Sequence, residues 1–459
     1  VTELLERSHI RYLSEMMNVP GAANRDDEVM AKIAAAEERG KPVDGHAPGV
    51  RGETLQAYVA AGISTDHESF TEAEGREKLE LGLKLAIREG SAARNFDELA
   101  GLIEEYPERC MLCTDDMHPD RLAEGHIDAL VRRGLARGIA PLTMLRCASL
   151  RPVEHYDLPV GLLQEGDPAD LLVVDGIADP EAFRVKRTYV NGTCVAENGE
   201  PRISSVDAKR VNRFDADPVP ARAFRVELPE ALERDDDDAP PRVRIIRARA
   251  GALVTEEDLE DAPLGSAPSV PEGGSEDSPT ERASDASEED MRPEIVPSSD
   301  RDLAKLAVVN RYEPAPPAIA LVRGFGLERG ALASSVAHDS HNVVAAGMSD
   351  GALAEAVDGV IAHRGGLALA TDSGGNPDGA SADVLPLPVA GLMTDRSGPE
   401  VARRYEELDR RAKEELGSTL EAPFMTLSFM ALLVIPELKL SDRGLFDARR
   451  FAISALLLE

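Results

Sequence analysis

Four side chains suited to holding a divalent cation stand out: Glu15, His46, His67 and Asp115. Each falls at or just past a short apolar run. A carboxylate, two imidazoles and a second carboxylate converging on one point form a plausible divalent-metal site. A cation held there lowers the pKa of bound water to about 7, and hydroxide becomes available at neutral pH. A neighbouring carboxylate can relay the proton to a leaving group. Asp115 suits that relay, because it can reach both cation and water. Glu68 follows His67. It faces a substrate if the strand ends there, and the opposite face if the strand continues. A single strand-end histidine is more often a hydrogen-bonded polar residue than a ligand, and it is the four matched positions that favour a metal centre. Asp116 and His118 read as supporting groups or helix caps. His126 and His155 read as structural. Cys110 and Cys113 form C-x-x-C, but inside a strand and without a second pair, so zinc-ribbon and thioredoxin readings are weak.

These side chains need a scaffold that brings successive strand ends together. Residues 1–155 show the rhythm for it. Strands are expected near Ile10–Leu13, Pro42–His46, Ile63–Glu68, Leu83–Arg88 and Arg109–Cys113. Helices are expected from Asn24 to a stop at Gly40, over Leu55–Ala61 before Gly62, from a Thr71/Glu74 capping box to Leu81, and over Phe96–Tyr106. Repeated β–α units predict a parallel sheet with helical crossovers. Polar strand ends on one face are the pattern of a (β/α)₈ barrel, and the five strands are part of the eight that closure needs. Residues 156–200 turn to short β runs with an Asn191-Gly192 hairpin signal, a small β unit.

Residues 201–459 read as a separate α/β domain. Its expected strands are Val243–Ile246, Ala318–Val322, Val343–Ala346 and Leu367–Ala370, and its helices Gly351–His363 and Pro399–Leu416. A Ser-, Glu-, Asp- and Pro-rich insert at about 263–297 is expected to be disordered, since it has too little apolar surface to order itself. His338 and His341 could complete a site across a domain interface, or form a satisfied polar turn, which spacing alone favours.

The chain has 459 residues, long enough for two or three domains. Trp is absent and aromatics are 4%, so aliphatic residues must fill the cores. There are 84 acids against 51 bases, a net charge of −33. Such a surface repels phosphate backbones and anionic lipid, which excludes nucleic-acid and membrane-surface roles. Acidic residues run along the whole chain and only nine of the bases are Lys, a pattern expected of a salt-loving source, where concentrated salt screens self-repulsion. No apolar run suits a membrane span. Four Cys are too few for a disulfide scaffold, so a cytoplasmic location is expected.

Several stretches together resemble the adenine deaminases of the amidohydrolase superfamily. They are SEMMNVPG (14–21), DGHAPG (44–49), AAGISTDHES (60–69), IREGSAARN (87–95), CTDDMHPD (113–120) and EGHIDALVRRGL (124–135). GDPADLLVVD (166–175) resembles the superfamily's β-sandwich segment. Residues 324–347, 385–393 and 422–444 resemble the deaminase C-terminal domain. The resemblance implies conversion of adenine and water to hypoxanthine and ammonia at a two-metal centre of Mn²⁺ or Fe²⁺. It casts Glu15 as bridging carboxylate, His46 and His67 as imidazole ligands, Asp115 as ligand and proton shuttle, and Glu68 as the group protonating substrate. Ser91, Asp116, His118, His338 and His341 become supporting or substrate-facing groups. The expected partner is the small molecule adenine, with homo-oligomerisation left open.

The sequence departs from the family in one respect: a His-x-His pair expected at the first barrel strand does not occur. With Val1 in place of Met, this leads to the expectation of a truncated barrel whose first three strands lie upstream. Two alternatives follow, an amidohydrolase acting on a cyclic amide and an inactive remnant.

Overall fold

Parallel pairing begins near the start of the chain. In the computed structural model, which describes residues 1–91, 93–229, 232, 240–249, 253–265, 293–372 and 382–458, Val1–Val206 and Asp207–Glu459 form two compact units. In the first, β1 (Leu13–Met16) pairs with β2 (Val43–Gly45), while β3 (Thr65–Asp66), β4 (Lys84–Arg88) and β5 (Cys110–Cys113) form a second parallel run. Ser64 bridges the two runs: its backbone N donates to Val43 O at 2.9 Å and its Oγ to the same oxygen at 2.7 Å. Helices Asp27–Glu37, Gly52–Ala60, Glu72–Glu80 and Phe96–Glu105 return the chain between strands.

Local chemistry explains these elements. Val29, Ile33 and Ala36 recur at helical spacing and are buried together with Val43 and Leu55. The Asp26 carboxylate caps their helix by accepting from Glu28 N and Val29 N. Gly62 and Gly82 follow helix ends at φ 109° and 102°, where a side chain would be strained. Thr71 Oγ1 accepts from Glu74 N at 3.3 Å. The expected capping box is only half made, because the Glu74 carboxylate turns instead to Gly49 N at 2.8 Å and Phe70 N at 3.1 Å.

The small β unit is one four-stranded antiparallel sheet of β6 (Leu171–Asp175), β7 (Arg184–Val190), β8 (Thr193–Glu197) and β9 (Glu200–Pro201). Asn191 and Gly192, at φ 48° and 77°, make the tight turn between β7 and β8.

The second unit is built on a nine-stranded sheet. Its order is β11 (Glu256–Asp261), β10 (Arg242–Arg247), β15 (Ala318–Arg323), β14 (Leu303–Val309), β17 (Val343–Gly347), β16 (Ala331–Ser334), β18 (Gly366–Ala370) and β19 (Asp383–Pro386), with β23 (Leu457–Leu458) also on β10. All seven residues of β14 are buried. The helix Asp350–Ala362 packs Leu353, Val357 and Val360 against Ala307, Val309 and Ala345. Five of the six residues of β11 are acidic, and arginines of the neighbouring strands answer them. Arg247 lies 2.6 Å from Asp258, Arg323 lies 2.6 Å from Glu260 and 2.7 Å from Asp258, and Arg244 pairs with Glu257. Helix Gly398–Glu414 and the strands β20 (Leu438–Ser441), β21 (Gly444–Asp447) and β22 (Ala452–Ile453) complete the unit.

The insert has ordered ends, which narrows the expected boundaries of 263–297. β12 (Leu264–Gly265) pairs antiparallel with β13 (Glu294–Ile295), and Ile295 is fully buried. Positions 266–292 of that insert lie outside the described residues, as does the acidic run 235–238. Gly265 and Glu294 stand side by side. A short turn replacing 266–292 is therefore expected to hold stability or raise it by up to about 1.5 kcal/mol through reduced loop entropy. A deletion that also removes Ile295 is expected to cost about 2–5 kcal/mol. Thermal unfolding of the two deletions checks this.

Candidate metal centre

Strand ends bring the acidic and imidazole groups together. Glu15 projects from β1, His46 and His67 follow β2 and β3, and Asp115 stands just past β5. β3 ends at Asp66, so Glu68 turns inward and is 1% exposed. His46 Nδ1 lies 3.2 Å from Glu15 Oε2 and 3.5 Å from Glu68 Oε1. His67 Nε2 lies 3.8 Å from Glu15 Oε1, 3.4 Å from Glu68 Oε1 and 3.5 Å from Asp115 Oδ2. The two rings meet edge to face with centroids 5.4 Å apart. Two overlapping trios result, Glu15/His46/His67 and His67/Glu68/Asp115, each with one donor atom per residue within 4.8 Å of the others.

The donor set fits a divalent ion at the first trio. Both ring nitrogens of His46 are buried and lack a well-directed hydrogen bond; the Glu15 oxygen at 3.2 Å faces Nδ1 off its N–H direction. An orphaned buried imidazole is costly, and a cation taking one lone pair relieves it. Burial works to raise the Glu15 pKa, but His46, His67 and Arg88 outweigh it and hold the carboxyl below its ordinary value. Burial likewise works to lower His46, and Glu15, Glu68 and Asp66 outweigh it, so His46 is raised.

Residues outside the sequence-derived set build the frame. Lys78 is fully buried and donates to Ala47 O at 2.7 Å, Asp66 Oδ2 at 2.9 Å and Glu74 Oε1 at 2.8 Å. Asp66 accepts in turn from Ala47 N at 3.0 Å and Glu68 N at 3.1 Å, so one ion cluster fixes the loops after both β2 and β3. Tyr58 Oη donates to Met16 O at 2.5 Å and accepts from His46 N at 3.1 Å, tying β1 to β2. Asn95 accepts from Arg88 N at 2.7 Å and donates to His67 O at 3.2 Å. Arg88, at the end of β4, contacts Glu68 and Asp115 directly, with Nη2 2.8 Å from Glu68 Oε2. Arg88 ends an expected strand, a position that the sequence reading did not single out. The others are visible only once the chain is folded.

The supporting positions lie nearby. Asp115 is left-handed at φ 57°, and its Oδ1 accepts from Asp116 N at 2.8 Å. Ser91 N donates to Asp116 O and Ser91 Oγ accepts from His118 N, each at 2.8 Å, joining the loops after β4 and β5. Burial pushes the His118 pKa down to about 4. In the second unit, His338 and His341 occupy the turn between β16 and β17 with rings 6.4 Å apart, and His338 stacks on Phe429 at 4.7 Å. The run Gly347-Met348-Ser349-Asp350-Gly351 has the G-x-S-x-G spacing of serine hydrolases. Ser349 has extended backbone at φ −147° and caps the helix Asp350–Ala362, with its hydroxyl 2.8 Å from Asp372 Oδ1. It serves as an N-cap.

A polar layer lies on the same strand face beneath the trios. Asp44, two residues before His46, accepts from Thr65 Oγ1 at 2.8 Å and Tyr156 Oη at 3.0 Å. His155 Nδ1 lies 3.0 Å from Lys84 Nζ and its Nε2 3.5 Å from Ser64 Oγ. Burial, and then the Lys84 charge, push the His155 pKa from 6.5 down to about 4. A lowered pKa means that the unfolded chain takes the proton first. The stability from neutral His155 is whole above pH 6.5 and is lost as pH falls to about 4, at up to about 1.4 kcal/mol per pH unit. A His155→Gln chain is expected to show a shallower fall of Tm over that window than the wild type.

Comparisons with known proteins agree with this architecture. Residues 2–195 match the amidohydrolase family and residues 279–452 the adenine deaminase C-terminal domain. The chain is 52% identical over 452 residues to an adenine deaminase of Salinibacter ruber, covering 98% of this chain and 74% of the relative. It is 47% identical over 451 residues to one of a Sulfurovum species, with 98% and 74% covered. It is 44% identical over 460 residues to one of Methanosarcina acetivorans, with 100% and 76% covered. No described helix is long and apolar enough to cross a membrane. The fold is α/β, the site is of the metal-dependent hydrolase kind, and the chain belongs to the adenine deaminase family.

Proposed function

We propose that the chain deaminates adenine hydrolytically, giving hypoxanthine and ammonia, with Mn²⁺ or Fe²⁺ as its cation and purine salvage in the cytoplasm as its setting. The observation that carries the reading is the convergence of Glu15, His46, His67, Glu68 and Asp115 at strand ends in a member of this family. Glu15, His46 and His67 would hold the ion, which when bound supplies a Lewis acid that makes water acidic near pH 7.

The chain's own residues do the rest. Asp115 takes a proton from water as the oxygen bonds to C6 of adenine. Glu68 gives a proton to the adjacent ring nitrogen, so the ring electrons have somewhere to go. Asp115 then passes its proton to the 6-amino group, the C6–N bond breaks, and ammonia leaves. The new hydroxyl returns its proton to Glu68 as the C6 carbonyl forms, and both carboxyl groups regain their starting states.

Ammonia release from adenine by the purified chain, with Mn²⁺ and with chelator, tests the reading. Release that needs the ion is expected. Silence on adenine with fresh Mn²⁺ or Fe²⁺, or turnover of hydantoins instead, overturns it.

A further inference from the structure

Helix Ile127–Ala136 and the β7–β8 hairpin border a cleft of about 580 Å³ that shares no residue with the metal centre. The chain as a whole carries a net charge of −33, yet four cations line this cleft, Arg132, Arg184, Lys186 and Arg187, against two carboxylates, Asp128 and Glu197. Both carboxylates are engaged. Asp128 Oδ2 lies 2.6 Å from Arg132, and Glu197 takes Arg187 at 2.7 Å together with Arg202 from outside the cleft. Lys186 reaches only Asp175, at 3.8 Å. Arg184 meets no carboxylate among the described residues; its Nη1 donates to Phe183 O at 2.7 Å, and the rest of its fork is open. The backbone presents these groups by an irregularity. Val173 faces Arg187 and Val174 faces Val185, so Lys186 is the extra residue of a β-bulge. A bulge breaks the alternation of a strand and re-aims its side chains, and here five successive residues, Arg184 to Thr188, border the cleft. Asn198, at φ 53° in the turn after β8, holds the bulge by donating its backbone N to Lys186 O at 2.8 Å.

We propose that this cleft is a second binding site, for a phosphomonoester of nucleotide size. The phosphate lies on the open Arg184 fork and the Lys186 ammonium, and the rest of the molecule lies against Val185 and Ala196, within reach of the Thr188 hydroxyl and the Asn198 amide. A guanidinium fork matches two phosphate oxygens at once. A local excess of positive charge on an acidic chain gathers anions at that place. The volume is that of a small-molecule site, far more than a bare phosphate ion fills.

The test is equilibrium dialysis of adenosine 5′-monophosphate against the whole chain, at the lowest salt at which it stays folded, because salt screens such contacts. The wild type is expected to take up the nucleotide. Arg184→Gln and Lys186→Gln, both on exposed side chains, are each expected to weaken uptake by about tenfold or more. Arg146→Gln, at an exposed arginine outside the cleft, is expected to leave it unchanged. Inorganic phosphate is expected to bind at least about tenfold more weakly than the nucleotide. Uptake that neither cleft substitution weakens overturns the site, and so does an equal loss in Arg146→Gln, which marks a general effect of charge. Inorganic phosphate bound as tightly as the nucleotide overturns the nucleotide-sized ligand. No uptake by the wild type overturns the proposal outright.

Discussion

Asp115→Asn is expected to lower adenine turnover by about 10²- to 10⁴-fold, the usual contribution of a positioned general acid–base, while the fold survives. The amide keeps the size of the side chain, and its Oδ1 can still accept from Asp116 N. It loses the ability to carry a proton from water to the leaving amine. The loss should therefore fall on kcat, with KM little changed. Steady-state ammonia release, with Tm measured alongside, checks both halves. Equal losses in kcat and Tm would point to a structural role instead.

Lys78→Met should have the largest effect on stability. The ammonium is fully buried, and it neutralises Asp66 and Glu74, which are buried beside it. Its removal leaves two carboxylates with no cation and unties Ala47 O. Breaking one partner of a buried ion cluster costs about 3–5 kcal/mol. Urea unfolding should show that loss as a lower midpoint at unchanged slope. The variant Lys78→Arg is not expected to rescue it, because the larger fork has no room in a site filled by three close acceptors.

The convergence of the candidate ligands was legible because each ends an apolar run in a β–α rhythm. Glu15, His46, His67 and Asp115 declare themselves by position. The frame behind them was not legible. Glu74 and Lys78 are four apart on a helix, which reads as an ordinary solvated pair, and only the fold buries them. Arg88 ends a strand like the others, but a lone arginine gives no sign that two carboxylates await it. β14, Leu303–Val309, combines good helix formers with a short apolar run, and period alone cannot separate helix from buried strand there. β11 reads as loop because five acids in six residues oppose strand formation. Its pairing depends on arginines supplied by the preceding strand β10 and by β15, about sixty residues further on. Composition set the ends of the insert too wide, since the pairing of Leu264–Gly265 with Glu294–Ile295 is a tertiary fact.

That acidic strand also settles a problem of company. β11 closes one end of the nine-stranded order, and beyond Glu257 N, which donates to Glu437 Oε2 at 3.0 Å, its outer backbone groups offer a template for a second chain. A copy docking edge to edge would lay the same row of carboxylates against this one, with Arg244, Arg247, Arg301, Arg323 and Arg449 already engaged within the chain. Like charges facing across a ladder repel. The strand thus polices its own rim: what looks least like a strand in the sequence keeps this sheet from growing into its neighbour.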